Sequence, residues 1–313
     1  MIERIVFLYS SEKNRYDISL LEKVIRALMR KYRCTPLFSY LQIDTALSCR
    51  ERMCELIREE SSRRGAIFLE SDTKSTPLCM EILKSVFDIY ASSHHISGRT
   101  ICYPDPTENI ASDDASIVCT TIYSKERIKK TALLSLEMAK KSRNSLSISF
   151  IPENEMDSAF LHEVEIALGK EKHICPDFIP LDEMISLCMK TVPPFDVVLT
   201  VKSYARLIAM HLNAMPDIPS GYTVSYGERR KVYKRQILPC EEIGNLHYLS
   251  SLLSIAAIFE NEFSMKSAAN WLRRALSISF EKESGSTPEA FIESIIKEIE
   301  KPIRKRRTKK DEN

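Results

Sequence analysis

Short apolar runs alternate with longer amphipathic ones along most of this chain. Runs rich in valine, isoleucine and aromatic residues predict strands at Ile5–Tyr9, Pro36–Leu41, Ala66–Glu70, Thr100–Tyr103, Ser116–Ile122, Leu146–Ile151, Phe178–Leu181 and Val197–Thr200. Apolar positions at helical spacing predict helices at Asp17–Arg33, Arg50–Arg63, Pro77–Ser92, Lys125–Lys141, Met156–Leu168, Asp182–Met189, Ser203–Leu212, Leu246–Glu260 and Ser264–Ser279. A last helix has its own start signal: Ser286 can cap, Pro288 sits early in the first turn, and Glu289 is placed for a capping box. This alternation predicts a layered α/β fold. The stretch "FDVVLTVKSYARLIAMHL", residues 195–212, reads as a buried strand running into a helix. Such turns, at the carboxyl edge of a sheet, are where ligands usually bind. This one carries Val201, Lys202, Ser203, Tyr204 and Arg206 in place of the usual glycine, aspartate or asparagine.

The 313 residues suffice for one large α/β unit or two small lobes around one sheet. Hydrophobic residues make up 44% and charged residues 28%, a globular balance. No apolar run reaches the ~18 residues of a membrane helix, so no membrane partner is expected. The amino terminus, MIERIVFLYS, enters a strand at once, and no secretory signal or mitochondrial presequence is evident. The nine cysteines are odd in number, scattered, and never in CxxC spacing, which favours a reducing compartment, cytoplasmic or nuclear. Neither Cys49 with Cys54 nor His173 with Cys175 suits zinc, and buried small side chains are the expectation there. His94–His95 reads as a metal pair or a solvated helix end; with no Cys or His at helical spacing nearby, the helix end is expected. Met184, Met189, Met210 and Met215 read as packing. No GxSxG nucleophile elbow occurs.

Two features alter this picture. The seven glycines (Gly65, Gly98, Gly169, Gly221, Gly227, Gly244 and Gly285) nowhere stand in GxGxxG or GxxxxGK spacing, so the sequence holds no glycine-rich phosphate cradle. Charge is also unevenly placed. Residues 301–313 hold Lys301, Arg304, Lys305, Arg306, Arg307, Lys309 and Lys310 against Asp311 and Glu312, a local +5 that leaves −3 on the rest of a chain whose formal total is +2. The segment "KPIRKRRTKK" is dense enough to serve as a nuclear-import signal or to meet RNA phosphates; the bland alternative is a solubilising tail. A basic tail alone carries no sequence specificity.

Four segments carry a resemblance: "YSKERIKKTALLSLEMAKKSRNSLSISF" from Tyr123, then "LDEMISLCMKTVPPFDVVLT", "LLSIAAIFENEF" and "STPEAFIESIIKEI". In order and spacing they resemble the isocitrate and isopropylmalate dehydrogenases, the metal-dependent β-decarboxylating enzymes. Upstream, "KSVFDIYASSHH" is similar to that family's "RKSLDLYANVRP", and "IERIVFLYSSEKNRYDISLLEKVIRAL" stands where it has its first strand, glycine loop and helix. The resemblance covers nearly the whole chain before the tail. It implies an isopropylmalate dehydrogenase-like layered α/β fold, a mixed sheet flanked by helices, with two lobes around a cleft. The larger lobe would comprise residues 1–100 and 214–300, the smaller, dimer-forming lobe residues 101–213, and a disordered basic tail residues 301–313.

The implied chemistry makes definite demands. Oxidation of a 2-hydroxy acid and loss of CO₂ from the β-keto acid need a divalent cation on carboxylate oxygens, arginines clamping substrate carboxylates, and a Tyr/Lys pair moving protons. Of the three metal aspartates the resemblance implies, two fall on Arg206 and Met210, and Asp182 remains, as a ligand or as the N-cap of its helix. The substrate arginines fall on Lys84 and His94, with surface solvation as the alternative, and a third falls on Cys119; lysine lacks arginine's fork. The proton-shuttle lysine falls on Ile151 or Pro152, while Tyr123 matches either the catalytic tyrosine or a scaffold tyrosine. The adenine-binding loop falls on "KVYKRQILPCEEIGNLHY" and the glycine loop on "SSEKNRYD", both without their glycine pattern. About thirty residues that build an inter-subunit clasp in that family have no counterpart.

The expectation is therefore a non-catalytic protein of this fold, a structural, regulatory or partner-binding subunit with no cofactor. The alternative is an NAD-dependent, Mg²⁺- or Mn²⁺-dependent dehydrogenase acting on isocitrate or 3-isopropylmalate. A homodimer or a heteromer with a homologue is expected, with an import receptor or RNA as partner for the tail.

Overall fold

The computed structural model describes residues 4–43, 50–62, 65–71, 74–112, 117–142, 145–169, 175–190, 192–214, 221–236, 245–283 and 285–302, with side chains at 108–120 left aside. In chain order the first part holds β1 (Arg4–Tyr9), α1 (Glu12–Lys31), β2 (Leu37–Gln42), α2 (Arg50–Ser62), β3 (Ala66–Glu70), α3 (Thr76–Phe87), β4 (Ile89–Ile96) and β5 (Arg99–Pro104). A hairpin of β6 (Thr107–Ser112) and β7 (Ile117–Ile122) follows, then α4 (Lys125–Lys141), β8 (Leu146–Phe150), α5 (Glu155–Leu168), β9 (Asp177–Pro180), α6 (Leu181–Cys188), β10 (Val197–Leu199) and α7 (Lys202–Ala214). Two strands, β11 (Gly221–Gly227) and β12 (Lys231–Arg235), and three helices, α8 (Leu246–Asn261), α9 (Lys266–Glu283) and α10 (Pro288–Glu300), complete it.

Ten strands form one mixed sheet in the order β2-β1-β3-β12-β11-β4-β5-β10-β8-β9, and β6 with β7 form a separate antiparallel pair. The implied fold, a mixed sheet flanked by helices, is thus present. The four central strands β12, β11, β4 and β5 pair antiparallel, whereas the pairs outside them, β3 with β12 included, are parallel. On one face α1, α8, α9 and α10 cover a large apolar cluster that includes Phe7, Phe68, Tyr233, Phe259 and Phe291. On the other, α2 and α3 cover one cluster, with Leu69, Leu83 and Val232. A second, with Ile101, Met184, Val198 and Ile208, lies under α6 and α7.

Several sequence readings need correction. The apolar periodicity read as a helix to Ser92 stops at Phe87: Asp88 takes a left-handed φ of 51° and turns the chain into β4. His94 and His95 therefore lie on a strand, half-buried, and form no solvated helix end. The strands β6, β11 and β12 lie outside the predicted elements, although "GYTVSYG" and "KVYKR" alternate as strands do. Two caps also differ. Thr287, not Ser286, receives the Ala290 N–H at the start of α10, and α6 begins after Pro180, which leaves Asp182 inside the first turn.

Candidate functional site

Cross-strand partners share a face of a sheet, so the register locates a polar row. Leu69 pairs with Lys234, Lys234 with Thr223, Thr223 with His94, and His94 with Ile101. Leu69 belongs to the cluster under α3 and Ile101 to the cluster under α7. Between those helices the face turns from apolar to polar. A second row, Ser225 and Ser92, runs beside it, with their hydroxyls 2.9 Å apart. His94 Nδ1 lies 3.0 Å from Thr223 Oγ1, and its ring packs 5.1 Å from that of Tyr103.

Cations border this gap. Lys84, in the last turn of α3, places Nζ 2.8 Å from Asp105 Oδ2 just beyond β5. Lys202 opens α7, and Arg206 stands one turn along it. Lys234 is half-buried on β12. Burial lowers its pKa to about 8, opposed by Asp105 and reinforced by Lys84 and Lys202. His94 is pushed down to about 3, by burial first and then by Lys234, His95 and Arg206, so it is neutral at pH 7. The gap is therefore a cationic cleft with one carboxylate, Asp105, identified in it.

The other sequence-derived residues are placed as follows. Lys84 is ion-paired rather than simply solvated. Asp182 is exposed on α6, and Arg206 and Met210 are exposed on α7. Tyr123 accepts a hydrogen bond at its hydroxyl from the Lys202 amide, 3.2 Å away, and so holds the turn from β10 into α7. The Ile151 amide donates to Asp157 Oδ2 at 2.6 Å. Met184 is buried, but Met189 and Met210 are exposed, which corrects their reading as packing. Cys54 is buried and Cys175 exposed. The Cys119 side chain, Cys49, His173, Met215, Gly244 and the tail residues Arg304, Lys305, Arg306, Arg307, Lys309 and Lys310 lie outside the described residues. Lys234 and Asp105 were not singled out from sequence; recognising "KVYKR" as a strand would have put Lys234 on the row.

The donor set does not fit a divalent cation. Arg206 and Met210 offer no oxygen, Asp182 is exposed on another helix, and among the described residues no group of three His, Cys, Asp or Glu side chains could hold a metal ion. The described part of the implied nucleotide region does not fit a dinucleotide either. Ser10 and Ser11 hydroxyls both donate to Asn14 Oδ1 at 2.8 Å. Tyr248 donates to Asp17 at 2.6 Å, and Glu70, at the end of β3, takes Ser251 at 2.8 Å and Arg235 at 3.1 Å. Side chains at the start of α1, on α8 and at the end of β3 are thus bonded to one another, with no glycine pattern among them.

The fold has clear structural parallels. It superposes on a β-decarboxylating dehydrogenase from Thermococcus kodakarensis in its apo form, with a TM-score of 0.73, 16% identity and 96% of each chain covered. The chain has the β-decarboxylating dehydrogenase fold. Isocitrate dehydrogenase from Methylococcus capsulatus matches with a TM-score of 0.75 and 12% identity over 96% of this chain and 100% of that one. A protein from Thermus thermophilus matches with a TM-score of 0.74 and 14% identity over 96% of this chain and 69% of that one. At these identities the likeness shows the dehydrogenase fold alone. No family model matches the chain, and no curated protein matches it in sequence.

Proposed function

We propose that this protein uses the dehydrogenase fold without its chemistry, as a structural, regulatory or partner-binding subunit. The observation that carries this reading is the surface of α7. Arg206 and Met210 are exposed on the helix where the resemblance calls for two metal-binding carboxylates. A guanidinium there repels a divalent cation, and a thioether is a poor ligand for a hard one. The cations beside the polar row, and the side chains bonded to one another around Asn14 and Glu70, support the same reading.

The test is ligand-induced stabilisation of the full chain. Mg²⁺ or Mn²⁺, NAD, and isocitrate or 3-isopropylmalate are added singly and together, and melting is followed alongside NADH absorbance. The expected result is neither a metal-dependent shift nor NADH. Formation of NADH would establish the dehydrogenase reading instead.

Partner binding is proposed through the exposed apolar side chains of the α6–α7 region, Met189, Val192, Leu207 and Met210. A homodimer or a heteromer with a homologue is the form proposed. Sedimentation that shows only monomer at every concentration, with no homologue recovered in a pull-down, removes it. The basic tail is proposed as a nuclear-import or RNA-binding element. A fluorescent protein fused to residues 295–313 that stays evenly distributed counts against import.

A further inference from the structure

Lys234 stands apart from the other cations around the cleft. Its strand places it on a row that runs from one apolar cluster to the other, between Leu69 and Thr223. Among the described residues its ammonium makes no hydrogen bond and no ion pair, whereas Lys84 is bonded to Asp105. It is half-buried. The charged and titratable groups that face it are Lys84 from α3, Lys202 from α7, Asp105 after β5, and His94 across Thr223 on β4. His94 is neutral at pH 7 and adds no positive charge beside them. Burial and these neighbouring cations make the neutral amine of Lys234 accessible close to physiological pH. A lysine desolvated beside other cations is a nucleophile toward carbonyl carbon.

We propose that Lys234 is a reactive amine that condenses reversibly with small carbonyl compounds bearing a carboxylate or phosphate group, the anionic group resting on Lys84 and Lys202. The step balances without an oxidant. The amine lone pair adds to the carbonyl carbon, and a proton moves from nitrogen to the carbonyl oxygen to give a carbinolamine. Uptake of one proton and loss of one water leave the protonated imine. Hydrolysis reverses the sequence. Because neither nicotinamide nor metal takes part, the proposal stands or falls separately from the non-catalytic reading.

The test uses the full chain. Protein is incubated with a limiting amount of pyridoxal 5′-phosphate, reduced with borohydride and mapped by peptide mass spectrometry. Lys234 is expected to carry the label ahead of exposed lysines such as Lys125, with half-maximal labelling near pH 8. Pyridoxal, which lacks the phosphate, should label Lys234 about tenfold less well. Lys234→Arg keeps the charge and removes the nucleophile. It should lose the label at that position while Lys125 labelling and the melting temperature stay unchanged. Lys84→Met and Lys202→Met should each reduce the preference for the phosphate form. Labelling spread evenly over exposed lysines would overturn the reactive amine. Equal labelling by the two reagents would overturn the anionic subsite. Glyoxylate, trapped in the same way, reports whether a carboxylate serves as well as a phosphate.

Discussion

Lys84 Nζ lies 2.8 Å from Asp105 Oδ2, and this pair joins the last turn of α3 to the exit of β5. The Asp105 side chain is 5% exposed and that of Lys84 29%, so the carboxylate depends on its partner more than the ammonium does. Lys84→Met should cost about 2 kcal/mol, mainly because it leaves a buried carboxylate short of a countercharge. Urea unfolding measures this. Lys84→Met combined with Asp105→Leu should recover most of the loss; a double variant no better than the sum of the single ones would show that the pair is not coupled.

The Glu70–Arg235 pair predicts a larger effect. Glu70 is 1% exposed, and Arg235 Nε sits 3.1 Å from its Oε1. Arg235→Met removes the guanidinium and leaves Ser251 bonded to the carboxylate, so about 3 kcal/mol should be lost. A urea midpoint unchanged in the variant contradicts this.

The two histidines of β4 set a direction for acid stability. Burial, the largest cause in both, holds His94 near 3 and His95 near 4, against 6.5 in an unfolded chain. Between those values the unfolded chain binds protons that the folded one does not. Their contribution is complete above about pH 6.5 and falls as pH drops toward 4 and then 3. Melting temperature should therefore decline from pH 7 to 4.5, and His94→Gln should flatten the decline. A variant with the same slope as the parent would place the acid sensitivity elsewhere.

Two glycines should respond differently to alanine. At Gly227 a new Cβ would lie 2.3 Å from the Phe87 carbonyl oxygen, where β11 closes on the end of α3. At Gly98 the space is open, and only the left-handed φ of 78° opposes a side chain. Gly227→Ala should cost about 2 kcal/mol and Gly98→Ala about 1 kcal/mol, as read from thermal or urea unfolding. The reverse order would show that backbone conformation matters more here than close approach.

The outer strands and most helices were legible because their signals are local. Ile5–Tyr9 and Ala66–Glu70 are apolar nearly throughout, and the helix at Lys125–Lys141 has the bounds its spacing predicts. The centre of the sheet was not. Ile89, Tyr90 and Ala91 continue the apolar tendency of the preceding helix, and only the turn at Asp88 separates them. Gly221–Gly227 and Lys231–Arg235 carry only a short strand-like alternation, and partners distant in sequence on both sides fix them as strands. The same holds for the cleft. The sequence pattern places Arg206 and Met210 on the helix they occupy, since a strand–turn–helix is a local pattern. Lys234 and Asp105 acquire meaning only through strand pairing and through Lys84, which no spacing along the chain encodes.

The placement of β12 and β11 between β3 and β4 has a consequence for biosynthesis. Residues 4–104 contain strands from both sides of the sheet but none of the two that join them. Until the chain is complete past residue 235, β3 and β4 each present an edge that only β11 and β12 can close. Pairings this distant in sequence form slowly, and open edges are prone to intermolecular association. A nascent chain of this protein should therefore depend on chaperones until its last third emerges from the ribosome.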